Sequence, residues 1–148
     1  MLGEGFLGRP STFGADLNLL VQLGLGLLLL CGLLLARRSR YALHGTCQAG
    51  ALVATLVMTA IWMAPAFHNN YGPVIFRLGN RVNAAAAAHV VGGTVALLLG
   101  IYVVLVAGTP LVPKALRFGN YKLWMRTLIT VWWLALLLGV LTYWLATS

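Results

Sequence analysis

Three histidines hold most of the chemistry that this chain could offer. His68 and His89 stand at the two edges of a polar interval, His68-Asn69-Asn70-Tyr71-Gly72-Pro73 through Arg81-Val82-Asn83, that separates two long apolar stretches. Two imidazoles delivered to one depth by adjacent helices could ligate haem iron axially, hold copper with a third ligand, or take up protons. Each ring could equally be a helix-end residue in a polar layer, with His68 favouring the C-terminal dipole of its helix. No HxxxH or CxxC pattern fixes a geometry, so spacing leaves these readings open and the identity of any metal unknown. His44 stands apart. It precedes His68 by 24 positions, which is about 36 Å of continuous helix. Its stripe with Cys47 and Gln48 is either a second polar site or plain packing.

Other chemistries find little support. The only acidic residues are Glu4 and Asp16. Both are expected outside the core, so general acid–base catalysis has no carboxylate to use. No hydrolytic triad and no phosphate loop is visible, and an enzyme is not expected. Gly3-x-Gly5-x-x-Gly8 matches the dinucleotide fingerprint in letters only, since that motif needs a preceding strand and here only Met1-Leu2 comes before it. Cys31 and Cys47 form no CxxC pair and support no disulfide framework; both are expected to be small packing residues.

Composition names the solvent. Of 148 residues, 61% are hydrophobic and 8% charged, with mean hydropathy +0.92, whereas a soluble domain carries about 25% charged residues. The formal net charge of +8 would suggest nucleic acid in a soluble protein. Here the cations sit in short runs between apolar segments, as the positive-inside bias produces, so lipid and not nucleic acid is the partner.

Four apolar stretches of about 17–35, 42–67, 84–107 and 123–146 are each long enough to cross roughly 30 Å of hydrocarbon. The fold class is therefore all-α, a single integral membrane domain over residues 1–148 built as a four-transmembrane-helix bundle. Residues 1–15 are expected as a cap on the headgroups, with Asp16 capping the first helix. The segment Met1-Leu2-Gly3-Glu4-Gly5 lacks the basic region of a signal peptide. Asn18, Gln22 and Gly26 share a stripe of the first span and should face the bundle. In the second span His44, Cys47/Gln48, Ala51, Thr55, Thr59 and Trp62 recur near a 3.6-residue period and should also face inward. Pro65 should kink or end that helix. Asn70-Tyr71-Gly72-Pro73 signals a turn, and Val74-Ile75-Phe76-Arg77 a short interfacial segment. In the third span, Ala85-His89-Gly93 lets a neighbouring backbone approach, so His89 should point at another helix. Trp124, Trp132, Trp133 and Trp144 partly serve as interface anchors, and Arg126 can snorkel to the headgroups.

Counting cations sets the topology. Arg37, Arg38, Arg40, Lys114, Arg117, Lys122 and Arg126 lie on one side, against Arg9, Arg77 and Arg81 on the other. Seven against three places both termini and the 68–83 loop outside the cytoplasm. His68 and His89 then share the outer side, and His44, Cys47 and Gln48 the inner. A transporter lacks support, with no acid within the spans and no visible inverted repeat.

The pattern Arg37-Arg38 followed by His44, then His68 ending span two and His89 opening span three, resembles the DUF420 family of bacterial four-helix membrane proteins. So does the closing Arg126…Trp132…Gly139-Val140-Leu141-Thr142-Tyr143, and the likeness covers most of residues 17–144. The family's typical pattern has a further histidine before span four, where this chain aligns Tyr121. An inner pair with His44 is thus missing while the outer pair His68/His89 remains. The resemblance implies residence in the bacterial inner membrane and similarity to a factor that matures haem–copper terminal oxidases. It thereby implies an accessory, non-catalytic role in haem or copper handling beside a terminal oxidase. The alternative is a structural accessory subunit of a larger respiratory or photosynthetic electron-transfer complex, which the tryptophans of span four and the small residues of span three also suit.

Overall fold

The computed structural model describes residues 4–70 and 78–148. Over them the chain is all-α, and four helices are long and apolar enough to cross a membrane. The first is α1 (Phe13–Arg37). It begins four residues before the expected start, because Thr12 rather than Asp16 is its N-cap, accepting from the Ala15 N–H at 3.3 Å. The second span is compound: α2 (Tyr41–Met58), a π-helical turn (Thr59–Met63) and α3 (Ala64–Asn70). Helices α4 (Arg81–Gly108) and α5 (Tyr121–Ala146) complete the set. Asn80 and Asn120 cap these two through their side chains, at 2.8 Å from the Val82 N–H and 3.1 Å from the Leu123 N–H. Side-chain caps of this kind satisfy amides that a helix start leaves without a partner.

Pro65 neither ends nor sharply breaks the second span. Helix continues through it, and the irregularity lies just upstream, where the Ala64 N–H reaches back to the Thr59 carbonyl. A proline ring crowds the carbonyl four residues before it and offers no N–H; widening the preceding turn relieves both problems without leaving helix. The turn expected from Asn70 and the interfacial segment 74–77 fall, beyond Asn70 itself, outside the described residues.

The helices pack as two antiparallel hairpins, α1 with α2 and α4 with α5, joined by α1 against α5 and α2 against α4. Ser39, at φ 59°, makes the sharp left-handed reversal between α1 and α2. The shared core is Leu25, Leu29, Ala51, Leu52, Ala96, Val103, Leu128 and Trp132. Lipid competes with any apolar side chain, so close backbone approach supplies much of the cohesion. Gly100 shows this: a Cβ there would sit 3.2 Å from Leu52 and 3.3 Å from Trp132. Gly26, on the predicted inward stripe, lies against Trp133 and Leu136 as expected. Meanwhile Leu27, Ile61, Val91, Leu98 and Leu134 are exposed around the outside. In water that girdle would be a large apolar patch; in a bilayer it is the ordinary surface. The chain is a multi-pass membrane protein by length and composition of its helices.

Candidate functional site

The richest constellation is built on Gly32. This glycine lies in the last turns of α1, and a Cβ added to it would meet Gln48 Nε2 at 2.6 Å and Cys47 Cβ at 3.3 Å. Its bareness therefore lets the first turns of α2 close on α1. The His44 ring uses that approach: its Nδ1 lies 2.8 Å from the Gly32 carbonyl oxygen. A carbonyl oxygen can only accept, so Nδ1 carries the hydrogen. A ring so held and carrying no second hydrogen has its lone pair on Nε2, the arrangement by which a backbone carbonyl orients a ligating histidine. Gln48 reaches from the next turn toward the Leu29 carbonyl at a long 3.5 Å.

His44 and Gln48 also line a cavity of about 420 Å³ between the helices that opens to the surface beside the exposed Tyr41 and Arg126. All four spans contribute to its wall, mostly through apolar side chains such as Leu52, Val103 and Trp132, with Tyr41 and Arg126 as further polar members. Its size falls in the range that holds small organic ligands, and its composition, greasy with a few directed polar groups, is also theirs. The expected grouping of His44, Cys47 and Gln48 is thus realised in part. His44 and Gln48 belong to the cavity, whereas Cys47 packs against Gly32 and is absent from its lining.

At the opposite end of the bundle, His89 points from α4 into α5, as its small-residue surroundings predicted. The ring lies over Gly139, where a Cβ would stand 2.8 Å from its Cε1. Its Nδ1 is 2.8 Å from the Ala135 carbonyl oxygen, so this ring too is held with hydrogen on Nδ1. The expected contact at Gly93 is not made, since a Cβ there would meet open space; at Gly92 an added Cβ would instead stand 3.8 Å from that of Ala135. His68 is exposed, and its Nδ1 has a weak local partner in Asn69 Oδ1 at 3.4 Å. The polar contacts of His68 and His89 therefore lead to different places, one to its own chain neighbour and one across to α5. Among the described residues, no three of His, Cys, Asp or Glu converge where a metal ion could be held.

Two further expectations are corrected, the first of them at this end. Asp16, placed by sequence outside the core, has 0% relative exposure. Its carboxylate accepts from the Phe6 N–H at 2.6 Å, the Leu7 N–H at 2.7 Å, the Tyr143 hydroxyl at 2.7 Å and the Ser11 hydroxyl. Four donors offset the cost of burying a charge. The described part of the N-terminal segment is consequently tied into the bundle, not laid loosely on headgroups. Arg9 reinforces it, standing 3.6 Å over the Trp144 ring and donating to Thr147 at 3.0 Å. The second correction concerns Cys31, which is exposed on the outside of α1 and is not a packing residue.

Comparison with protein-family models, with curated proteins and with solved structures finds no match for this chain.

Proposed function

We propose that the chain is a non-catalytic accessory protein of the bacterial inner membrane that handles haem during maturation of a respiratory haem–copper oxidase. The observation that carries this reading is His44, which lines a 420 Å³ cavity and is held through Nδ1 by the Gly32 carbonyl, leaving Nε2 as its ligating nitrogen. The donor set favours haem over a bare ion. Copper in a protein cage asks for several soft or imidazole ligands, and the described residues assemble no such group. Haem asks for one axial imidazole, an apolar slot and a cation for its carboxylates. His44, the leucine, valine and tryptophan walls, and Arg126 are of those types. Bound there, haem would supply an iron centre for transfer to the oxidase; the chain's own part is to ligate, orient and keep water away.

The resemblance to the DUF420 family supports a haem- or copper-handling role but points to His68 and His89 as the ligands, since the inner partner of His44 is replaced by Tyr121. His89 stays a candidate ligand by its own tautomer, and His68 by its exposure. With both termini outside the cytoplasm, His44 would load from the inner leaflet.

The test is a strain lacking this gene, complemented with the wild-type or the His44→Ala chain. Wild type should restore the oxidase haem absorbance of isolated membranes, and His44→Ala should not, despite equal accumulation in the membrane. Full restoration by His44→Ala would remove the basis of the proposal.

A structural subunit of a larger electron-transfer complex is the second reading. An apolar groove between α1 and α5, lined by Leu30, Leu33, Trp133, Leu134 and Leu137, would suit a partner helix. Stable migration as a lone monomer in mild detergent would count against it.

A further inference from the structure

The cavity beside His44 has an open flank, and its wall residues show which one. Its members on α1, Leu29 and Leu33, are buried or half-buried. The exposed members are Tyr41 and Gly45 on α2, Ala107 and Gly108 on α4, and Arg126 on α5. Helices α2 and α4 approach closely where Leu52 meets Gly100. They run antiparallel, so from that point toward the His44 end Ala49 stands level with Val103, and Gly45 with Ala107. A Cβ added at Gly45 or at Gly108 would meet nothing within 4 Å. The α2–α4 seam is therefore closed at Leu52 and open beyond it, over about 10 Å of helix axis. Gly45 and Ala107 still belong to the spans, so the opening faces sideways into the membrane.

What fits this opening follows from its lining. Most of the wall is apolar. A water molecule is held only where several polar groups converge on it, whereas an acyl chain matches leucine, valine and isoleucine in kind. Arg126 adds a charge at the rim. The chain's two acids, Glu4 and Asp16, lie at the opposite end of the bundle, so the counter-charge for Arg126 comes from outside the protein. Arg37, Arg38, Arg40 and Lys122 are exposed at the same end and make its field positive. By the cation count this end faces the cytoplasmic leaflet, whose anionic lipids such a field attracts. An acidic head joined to an apolar chain is the chemistry of an anionic phospholipid.

We propose that an anionic phospholipid inserts one acyl chain into this cavity through the α2–α4 opening and sets its phosphate at Arg126. The proposal goes beyond the haem reading and stands without it. It names the occupant of the cavity in a membrane free of haem, which haem would displace on binding.

Photo-crosslinking of the full chain in haem-free liposomes tests it. Phosphatidylglycerol with a diazirine midway along one acyl chain should label the half-buried wall residues Ala49 and Val104 as well as Leu98 of the exposed girdle, mapped by peptide mass spectrometry. Phosphatidylcholine with the same chain should label Leu98 equally and the two wall residues several-fold less. Arg126→Gln should lower wall labelling by phosphatidylglycerol to the phosphatidylcholine level. Gly45→Phe with Gly108→Phe, at two positions with open space, should abolish wall labelling and leave that of Leu98. Labelling of Leu98 without Ala49 and Val104 in the wild type would overturn the proposal. So would equal wall labelling by the two lipids that Arg126→Gln leaves unchanged, or wall labelling that survives the double substitution. Haem takes no part in these measurements, so a failed haem titration and a failed crosslink are separate results.

Discussion

Gly32 and Gly139 do matching work for two rings at opposite ends of the bundle. Each withholds a Cβ so that a histidine from the partner helix can reach a backbone carbonyl, His44 that of Gly32 itself and His89 that of Ala135. Sequence showed the histidines and the inward direction of His89, but not these partners, because a carbonyl acceptor carries no residue identity. Asp16 was misplaced for a related reason. An acidic residue just before an apolar run looks like a cap, and nothing local reveals that Phe6, Leu7, Ser11 and Tyr143 all return to it. Gly139→Ala should press on the His89 ring and cost about 1–3 kcal/mol of stability, measured by unfolding in mixed micelles. His89→Ala in the same chain should recover part of that loss, as contacting residues couple. Gly32→Ala should push α2 away and weaken haem binding about 10–100-fold, the usual effect of disturbing a ligand's supporting group, read by optical titration.

Among the elements, the helices were legible in kind and less so in extent. Apolar length located all four, while each began before its expected start, in three of them because the caps Thr12, Asn80 and Asn120 lie outside the apolar stretches that marked the spans. The inward stripe of the second span was also legible: Ala51 and Thr55 are buried where a 3.6-residue period put them. The π-helical turn was not, since Pro65 predicts a disturbance but not the widened turn that absorbs it. The N-terminal segment owes its place to Asp16 and Arg9 instead of to hydrophobicity. Asp16→Ala should therefore release it, and trypsin added to proteoliposomes should cleave after Arg9 several-fold faster than in wild type. Unchanged cleavage would mean that the Arg9 contacts to Trp144 and Thr147 suffice alone.

For the molecule as a whole, composition was decisive because lipid imposes one demand, that backbone polar groups be satisfied within each span. That demand leaves four helices as the answer for this chain. Orientation rests on the distribution of Lys and Arg. In a chain with Cys31→Ser and Cys47→Ala, a membrane-impermeant maleimide should label Ser11→Cys in intact cells, but Lys114→Cys only after lysis. The reverse pattern would invert the molecule. The cavity was beyond sequence altogether, since its wall draws single residues from all four spans: Leu29, His44, Val103 and Trp132 are far apart in the chain. Its proposed occupant is open to one decisive observation, an optical titration of the purified chain with ferric haem in mild detergent. Wild type should develop the sharpened Soret band of an imidazole-ligated haem with saturable stoichiometry, and His44→Ala should lose it while His68→Ala retains it. A wild-type spectrum that matches haem in detergent alone, or a His44→Ala spectrum identical to wild type, would contradict the account.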